Sequence, residues 1–209
     1  QGPQVPKFEK VVSQYCNVKY ALATNSATSA LHLACLSLGL NNNDWLWTTS
    51  ITFVASANCA VLCGATPIFV DIDPKTYNLS PSEVEKKITS NTKVIIPVHF
   101  AGQSCDMKEI YQLGKVYGFK IIEDAAHALE SRYKGQKIGN LGNATAFSFY
   151  ANKNITTGEG GMLVTNDDAL AETFRVMRLQ GISRDAWKRY GKSGFSHWEQ
   201  TLAGHKCNM

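Results

Sequence analysis

Lys153 is the side chain with the clearest chemical potential in this sequence. It stands within the segment Phe147–Gly161, in a short loop between two apolar stretches, with the hydroxyl of Ser148 five residues before it and glycines soon after it. A lysine amine enclosed in a binding site can form a Schiff base with a carbonyl compound. Lys153 is therefore our first candidate for a catalytic group.

Asp124 is a second candidate, because it ends an apolar stretch typical of a buried strand, Ile121–Glu123. Open α/β sheets place ligand-binding groups at the carboxyl ends of their strands, and a buried carboxylate without a partner is costly. We expect Asp124 to bind a protonated ring nitrogen; the alternative is that it caps the next helix. His127, three residues later, either belongs to the same site or is a core histidine.

A polar turn before a helix is the third feature. The turn that follows the first predicted strand opens a helix of small residues, so that the backbone N–H groups of Ala27 and Thr28 can bind a phosphate. An ordinary N-cap is the alternative. Phe53 is either a ring that stacks on a flat ligand or part of the core, and Ser148 is close enough along the chain to Lys153 to bond the same phosphate.

These groups together predict a site for pyridoxal phosphate (PLP). In such a site Lys153 forms the Schiff base, Asp124 keeps the pyridine nitrogen protonated, and the turn before the helix holds the phosphate. Each signal alone is common in proteins, and the prediction rests on their combination.

The composition is that of an ordinary α/β protein, with no sign of a nucleic-acid or membrane partner. The 209 residues are 44% hydrophobic, 18% charged and 10% aromatic, with a formal net charge of +4. No stretch reaches the roughly 18 apolar residues that a membrane span needs. The basic residues are scattered, apart from a faint cluster that we interpret as a solvated or substrate-facing segment. That cluster is Arg184, Lys188, Arg189 and Lys192.

The six cysteines are expected to be reduced thiols in the cytoplasm rather than disulfides. Most of them lie in apolar, helix-like stretches such as Ala57–Cys63, where cysteine packs as a small hydrophobic residue. Cys59 and Cys63 share one face of that predicted helix, but no second Cys/His pair stands near them at metal-site spacing. No metal is expected.

Short apolar strands alternate with amphipathic helices, which predicts an α/β layered fold. The predicted strands are Tyr20–Thr24, Leu46–Thr49, Pro67–Asp71, Lys93–Pro97, Lys120–Glu123, Ala144–Phe149 and Gly161–Thr165. The predicted helices are Ala27–Leu38, Ser56–Cys63, Pro81–Lys87, Asp106–Tyr117 and Asp168–Leu179.

The connection between the sixth and seventh predicted strands indicates their relative direction. Only about a dozen residues join them, without helical periodicity, whereas a parallel pair needs a crossover of about a dozen or more residues, usually a helix. We therefore expect this pair to be antiparallel, in a seven-stranded sheet that is otherwise mostly parallel. Lys153 would then lie in the connecting loop, close to the strand ends.

Five stretches, in order along nearly the whole chain, resemble the DegT/StrS family. They are Ala30–Ala34, Thr52–Asn58, Gly64–Asp73, Ile121–His127 and Thr156–Gly161. Members of this family are PLP-dependent nucleotide-sugar aminotransferases with the aspartate-aminotransferase fold. The resemblance implies that residues 1–209 form a three-layer α/β/α large domain of fold-type I.

The resemblance carries over to the candidate residues one by one. It makes Lys153 the Schiff-base lysine and Asp124 the partner of the pyridinium, with His127 beside the ring. It makes Phe53 the ring that stacks on the cofactor. The phosphate ligands that it implies are Ala27, Thr28 and Ser148.

The resemblance also implies two residues that the motifs alone do not indicate. Gln103 corresponds to a residue that lines the active site near the cofactor. Asn208 matches an asparagine that a neighbouring subunit contributes to the phosphate. A homodimer with its active site at the subunit interface is therefore expected.

The chain departs from the family pattern in three respects. Ala27 stands where the family usually has glycine, and alanine keeps its N–H but permits a less close approach. Trp45 and Trp47 replace smaller or charged residues, as extra packing or as a partner surface. The opening N-terminal segment and the C-terminal small domain of the family are expected to be absent, so that the chain is a fragment.

The expected reaction is a ping-pong transamination from an amino-acid donor, glutamate by analogy with the family, to a keto-sugar nucleotide. Its product would serve cell-surface polysaccharide or glycoconjugate sugar biosynthesis. A dehydratase branch of the family has histidine in place of the lysine, so Lys153 favours transamination. Two alternatives remain open: a non-catalytic or incomplete PLP-fold fragment, and a PLP-dependent sugar dehydratase. Gly181–Tyr190 resembles the family's substrate-side loop but does not reveal the sugar.

Overall fold

The computed structural model describes residues 2–142, 144–182 and 200–209. The basic cluster of Arg184, Lys188, Arg189 and Lys192, and most of the substrate-side loop Gly181–Tyr190, lie outside the described residues.

Helices and strands alternate along most of the chain. Their order is α1 (Gln4–Cys16), β1 (Tyr20–Thr24), α2 (Ala27–Ser37), β2 (Trp45–Thr49), α3 (Ala55–Leu62), β3 (Thr66–Val70), α4 (Pro81–Lys87), β4 (Thr92–Ile95), a short 3₁₀ helix (Phe100–Gly102), α5 (Met107–Tyr117), β5 (Lys120–Asp124), β6 (Arg132–Tyr133), β7 (Gln136–Lys137), β8 (Ala144–Ser148), β9 (Gly161–Thr165) and α6 (Asp168–Met177).

Every predicted strand and helix is present, and the ends differ by at most two residues. Hydrophobic periodicity and turn residues are local signals, which explains this agreement. Three features were not predicted. The 3₁₀ helix Phe100–Gly102 is too short to show a period. Helix α1 packs on the core through residues at helical spacing such as Val5, Phe8 and Val12. The β6–β7 hairpin has strands too short to show alternation, and its turn has positive φ angles at Lys134 and Gly135.

The seven-stranded sheet has the order β1-β9-β8-β5-β4-β2-β3. Strand β9 is antiparallel to both of its neighbours, β1 and β8, and the other neighbouring strands are parallel. The predicted antiparallel pair and the mostly parallel seven-stranded sheet are therefore confirmed. Because β9 reverses the chain, its first residue lies at the same edge as the carboxyl ends of the parallel strands.

Helices cover both faces of the sheet, which gives the expected three layers. One face packs against α2, α3 and α6 in a cluster that includes Leu31, Leu163 and Phe174. The other face packs against α1 around Phe147 and against α4 and α5 around Trp47. Trp47 is only 1% exposed, so of the two interpretations of this residue the structure supports extra packing.

Alternation along β5 sends neighbouring side chains to opposite faces. Ile122 belongs to the cluster beneath α2 and α3, whereas Ile121 belongs to the cluster beneath α5. By the same alternation, Asp124 lies on the α2–α3 side and Glu123 lies on the α5 side. Two adjacent carboxyl groups therefore have different environments.

Among the described residues, no helix is long and apolar enough to cross a membrane. Within the same part of the chain, no group of three or more His, Cys, Asp or Glu side chains is arranged to hold a metal ion.

Candidate active site

A cavity of about 850 Å³ opens at the edge of the sheet where β1, β2, β5 and β8 end. The predicted site residues that line it are Ala27, Thr28, Phe53, Asp124, His127, Ser148 and Lys153. These residues come from segments far apart in the sequence, and the sheet order brings them to one place. The volume lies within the range of about 300–1,000 Å³ that is usual for small-molecule sites.

Lys153 lies in the loop between β8 and β9, as expected from the short connection. A hydrogen bond of 3.0 Å from its backbone N–H to the carbonyl of Tyr150 closes a turn, which helps to fix the backbone of the lysine. The side-chain amine Nζ lies 2.7 Å from Nε2 of His127. The lysine amine and an imidazole are thus in direct hydrogen-bond contact beside the cavity.

His127 is accessible from the cavity rather than buried in the core, so the core-histidine alternative is wrong. Partial burial lowers the pKa of His127, the positive charge of Lys153 lowers it further, and the negative charge of Asp124 opposes both effects. Both of the larger causes disfavour the imidazolium form. A neutral imidazole beside Lys153 has one ring nitrogen free to accept a proton.

Asp124 is 6% exposed and its carboxylate is held by two donors from different elements. The Ser56 hydroxyl donates to Oδ2 at 2.6 Å, and the backbone N–H of Ala126 donates to Oδ1 at 3.2 Å. Residues 125–131 contain two turns and no helix, so the alternative that Asp124 caps a following helix is wrong. The carboxylate is oriented at the cavity wall with lone pairs left for a further donor.

Glu123, on the other face of β5, is fully buried in a hydrogen-bonded network. Its carboxylate lies 2.9 Å from Nε2 of His99 and accepts hydrogen bonds from the hydroxyls of Tyr111 at 2.8 Å and Thr145 at 3.2 Å. Nδ1 of His99 accepts the backbone N–H of Cys105, which assigns the ring proton to Nε2 and makes it a donor to Glu123. Burial and the charge of Glu123 raise the pKa of Tyr111.

The turn before α2, which was predicted to bind a phosphate, is an N-cap and also lies at the cavity. Ser26 caps α2 by accepting the N–H of Ser29 at 3.1 Å, and the Thr24 hydroxyl donates to the Ser26 carbonyl at 2.9 Å. The first N–H groups of a helix have no intrahelical partner, so those of Ala27 and Thr28 remain available to a ligand. The N-cap alternative and the ligand-binding interpretation are compatible here.

Gly161, the first residue of β9, allows this turn to pack on the sheet. A Cβ added at Gly161 would lie 2.2 Å from the carbonyl carbon of Ser26 and 2.4 Å from the backbone nitrogen of Ala27. These are backbone atoms that cannot move independently of α2. Only glycine at this position permits the observed placement of the α2 N-terminus.

Phe53 is 75% exposed, so the interpretation of this ring as plain core is wrong. It lies in the segment that joins β2 to α3 and lines the cavity together with Thr52. Ser148 ends β8 at the same cavity, where its hydroxyl accepts the backbone N–H of Tyr150 at 3.4 Å. Both residues line the same cavity as Lys153.

Gln103 and Asn208 do not lie at this cavity. Gln103 is exposed, and its backbone carbonyl accepts a hydrogen bond from the side chain of Asn78 at 3.1 Å. Asn208 lines a second cavity, of about 520 Å³, together with Glu9 and Arg178. The expected role of Asn208 in a neighbouring subunit stays a prediction, as does that of Gln103.

Sequence reasoning missed two groups that contact the site residues. Ser56 was assigned only to a helix, although it stands three residues after Phe53 in the same stretch. His99 was not singled out, because no local signal connects it with Glu123. Both contacts depend on the positions of separate strands and helices.

Comparisons with known proteins identify the family. The match to the DegT/DnrJ/EryC1/StrS aminotransferase family covers residues 1–209. The chain belongs to this family. MJ1066 of Methanocaldococcus jannaschii is 50% identical over 208 residues, which are 100% of this chain and 54% of that protein. GDP-perosamine synthase of Caulobacter vibrioides is 48% identical over 189 residues, which are 90% of this chain and 50% of that enzyme.

A solved structure supports the fold independently. Spr1654 of Streptococcus pneumoniae, solved in its PMP form, has a TM-score of 0.89 at 32% identity and covers 100% of this chain and 56% of its own. The same protein has also been solved in its PLP form, with a TM-score of 0.88. The chain therefore has the fold of this neighbour and spans about half the length of the curated relatives that it matches.

Proposed function

We propose that this chain provides the PLP-binding part of a nucleotide-sugar aminotransferase. The observation that carries the proposal is the lysine amine at the cavity, 2.7 Å from an imidazole nitrogen, with Asp124 and the N-terminus of α2 lining the same cavity. Family membership and the PLP and PMP forms of the structural neighbour support the choice of cofactor.

The residues at the cavity fit PLP in both charge and shape. An oriented carboxylate that is 6% exposed suits a protonated ring nitrogen, since a buried charge needs a partner. The free N–H groups at the start of α2 suit a dianionic phosphate. Gly161 lets the N-terminus of α2 pack directly on the start of β9, because a side chain there would overlap the backbone of Ser26 and Ala27.

The proposal assigns each residue a task toward the cofactor. Asp124 would hold the ring nitrogen protonated, and Phe53 would lie against the ring. The phosphate would be held by Ala27, Thr28 and Ser148. When bound, PLP supplies a carbonyl for the lysine and an electron-accepting ring that stabilises negative charge on the carbon of the amino donor.

Lys153 and His127 would share the proton transfers. The Lys153 amine would accept a proton from the donor carbon as general base and would deliver that proton to the cofactor as general acid. Because the pKa of His127 is lowered, its ring is neutral near pH 7 and can accept a hydrogen bond from Nζ. That contact orients the amine.

The proposal extends to the substrates, the assembly and the location of the protein. A keto-sugar nucleotide is proposed as the acceptor, because GDP-perosamine synthase is 48% identical to this chain, and glutamate is proposed as the donor. A homodimer with a shared site is proposed because the family resemblance gives Asn208 a phosphate contact in a neighbouring subunit, and Asn208 lies away from the cavity that contains Lys153. A cytoplasmic location is proposed from the buried thiols of Cys16, Cys35, Cys59 and Cys105.

Borohydride trapping tests the cofactor assignment directly. The protein is incubated with PLP and reduced, and the modified peptide is mapped by mass spectrometry. A pyridoxyl group on Lys153 is expected, because reduction makes the lysine bond permanent. Lys153→Ala is expected to give no adduct at this peptide and no turnover of keto-sugar nucleotide.

The controls separate the alternatives. Lys137→Ala removes another lysine whose amine lies over the Tyr15 ring, away from the cavity, and should leave the adduct unchanged. An adduct spread over several lysines, or none in the wild type, would contradict the proposal and favour a non-catalytic fragment. Release of ammonia without an aminated sugar would identify a dehydratase instead.

A further inference from the structure

Ser56 makes a contact that none of the assigned roles uses. Its side chain is fully buried, and its hydroxyl lies 2.6 Å from Oδ2 of Asp124, which is 68 residues away in the sequence. A hydroxyl has one hydrogen to donate, and a carboxylate accepts it more strongly than a neutral oxygen does. The 3.3 Å contact of the same hydroxyl with the Phe53 carbonyl is the weaker alternative.

A second hydroxyl completes a chain that ends at the carboxylate. Oγ1 of Thr52 lies 2.7 Å from Oγ of Ser56, and because the Ser56 hydrogen goes to Asp124, Thr52 is the donor in this contact. Thr52 itself lines the cavity. The order of donation is therefore Thr52 to Ser56 to Asp124, from the cavity wall to the buried carboxylate.

The same segment carries the exposed aromatic ring. Phe53 stands between Thr52 and Ser56, and the hydroxyl chain ties this segment to the end of β5. Asp124 is further held by its backbone, whose N–H donates to Pro97 at 2.9 Å and whose carbonyl accepts from His99 at 3.0 Å. Ser56 thus joins the segment between β2 and α3 to the strand end that carries Asp124.

We propose that Ser56 is a positioning residue that aims the Asp124 carboxylate at the ring nitrogen of the cofactor. The inference rests on the proposed PLP function and deepens it. Loss of the hydroxyl frees Oδ2, so the carboxylate keeps only the N–H of Ala126 and can rotate away from the cavity. The part of the affinity that comes from the ring nitrogen is then lost, whereas the contacts of the aldehyde and the phosphate with the protein are unchanged.

The test compares PLP with its carbocyclic analogue, in which C–H replaces the ring nitrogen. Affinity is measured by equilibrium titration for the wild type and for Ser56→Ala. We expect Ser56→Ala to weaken PLP binding about tenfold, the scale of one hydrogen bond to a charged group, and to change the affinity for the analogue less than about twofold. Ser56→Cys keeps the size of the side chain with a weaker donor and should give an intermediate loss; it carries the test if Ser56→Ala does not fold.

Thr48→Val is the matched control. Thr48 is also fully buried, and its hydroxyl donates to the carbonyl of Ile96 at 3.0 Å rather than to Asp124. Its substitution should leave the ratio of the two affinities at the wild-type value. Equal losses of PLP and analogue in the Ser56 variants would overturn the positioning role, while failure of the wild type to bind PLP would overturn the proposed function itself.

Discussion

The contact between Lys153 and His127 links the protonation of two side chains in the ligand-free protein. Burial is the first cause that lowers the pKa of His127, and the charge of Lys153 is the second. At pH values between the lowered pKa of His127 and its ordinary value of 6.5, His127 binds more protons in the unfolded chain than in the folded chain. The contribution of His127 to folding stability therefore falls as the pH decreases through that window.

An NMR titration of His127 checks this reasoning. We expect a midpoint below 6.5 in the ligand-free protein. Lys153→Met should raise the midpoint without restoring 6.5, because burial remains, and Asp124→Asn should lower it, because a favourable negative charge is lost. A wild-type midpoint at or above 6.5, or no response to Lys153→Met, would refute the assigned causes.

Adjacent carboxylates on β5 show how strand geometry separates functions. Asp124 faces the cavity and Glu123 faces the opposite layer, where His99, Tyr111 and Thr145 hold it. Removal of one partner from such a fully buried charge is strongly destabilising. The network behind β5 therefore supports the strand end that carries Asp124.

At the scale of elements, the contact between β9 and the start of α2 determines whether the turn at Ser26, Ala27 and Thr28 can form. This turn is the proposed phosphate site. Gly161→Ala would place a methyl group 2.2 Å from the Ser26 carbonyl carbon, so α2 or β9 must shift. We expect a loss of stability of about 1–3 kcal/mol, typical of overpacking, and a loss of PLP affinity of at least about tenfold. Thermal unfolding and calorimetric titration measure the two effects.

Gly2→Ala is the control for this substitution, because a Cβ there meets nothing within 4 Å. It should change neither the unfolding temperature nor the affinity. Unchanged PLP affinity in Gly161→Ala would show that the α2 N-terminus does not hold the phosphate.

At the scale of the whole molecule, Asn208 provides a test of the shared active site. It lines a second cavity of about 520 Å³ rather than the one that contains Lys153. If a neighbouring subunit contributes Asn208, a mixed dimer of Lys153→Ala and Asn208→Ala chains contains one intact site. Co-expression of the two variants, in the full-length protein, should recover about a quarter of the wild-type activity.

Each variant expressed alone is the control for this experiment. Lys153→Ala should be inactive and Asn208→Ala strongly impaired. Co-expressed activity no greater than that of Asn208→Ala alone would show that the site is built within one subunit.

The elements of the fold were predictable because their signals are local. Short apolar stretches between amphipathic helices predicted the strands of the sheet, and the short link before β9 predicted its reversal. Helix α1 was not predicted, although Val5, Phe8 and Val12 recur at helical spacing and pack on the core. The β6–β7 hairpin was missed because two-residue strands have no period.

The sequence by itself determined the α/β layers, the reversed strand, the family, and the identity of Lys153, Asp124 and the turn at Ala27 as candidates. Periodicity, turn chemistry and contiguous motifs are all encoded by residues close together in the chain. Only the tertiary structure decided that Lys153 meets His127 and that Ser56 bonds Asp124, across 26 and 68 residues. Such contacts depend on the order of the strands and on which face each side chain takes, and no local pattern specifies either.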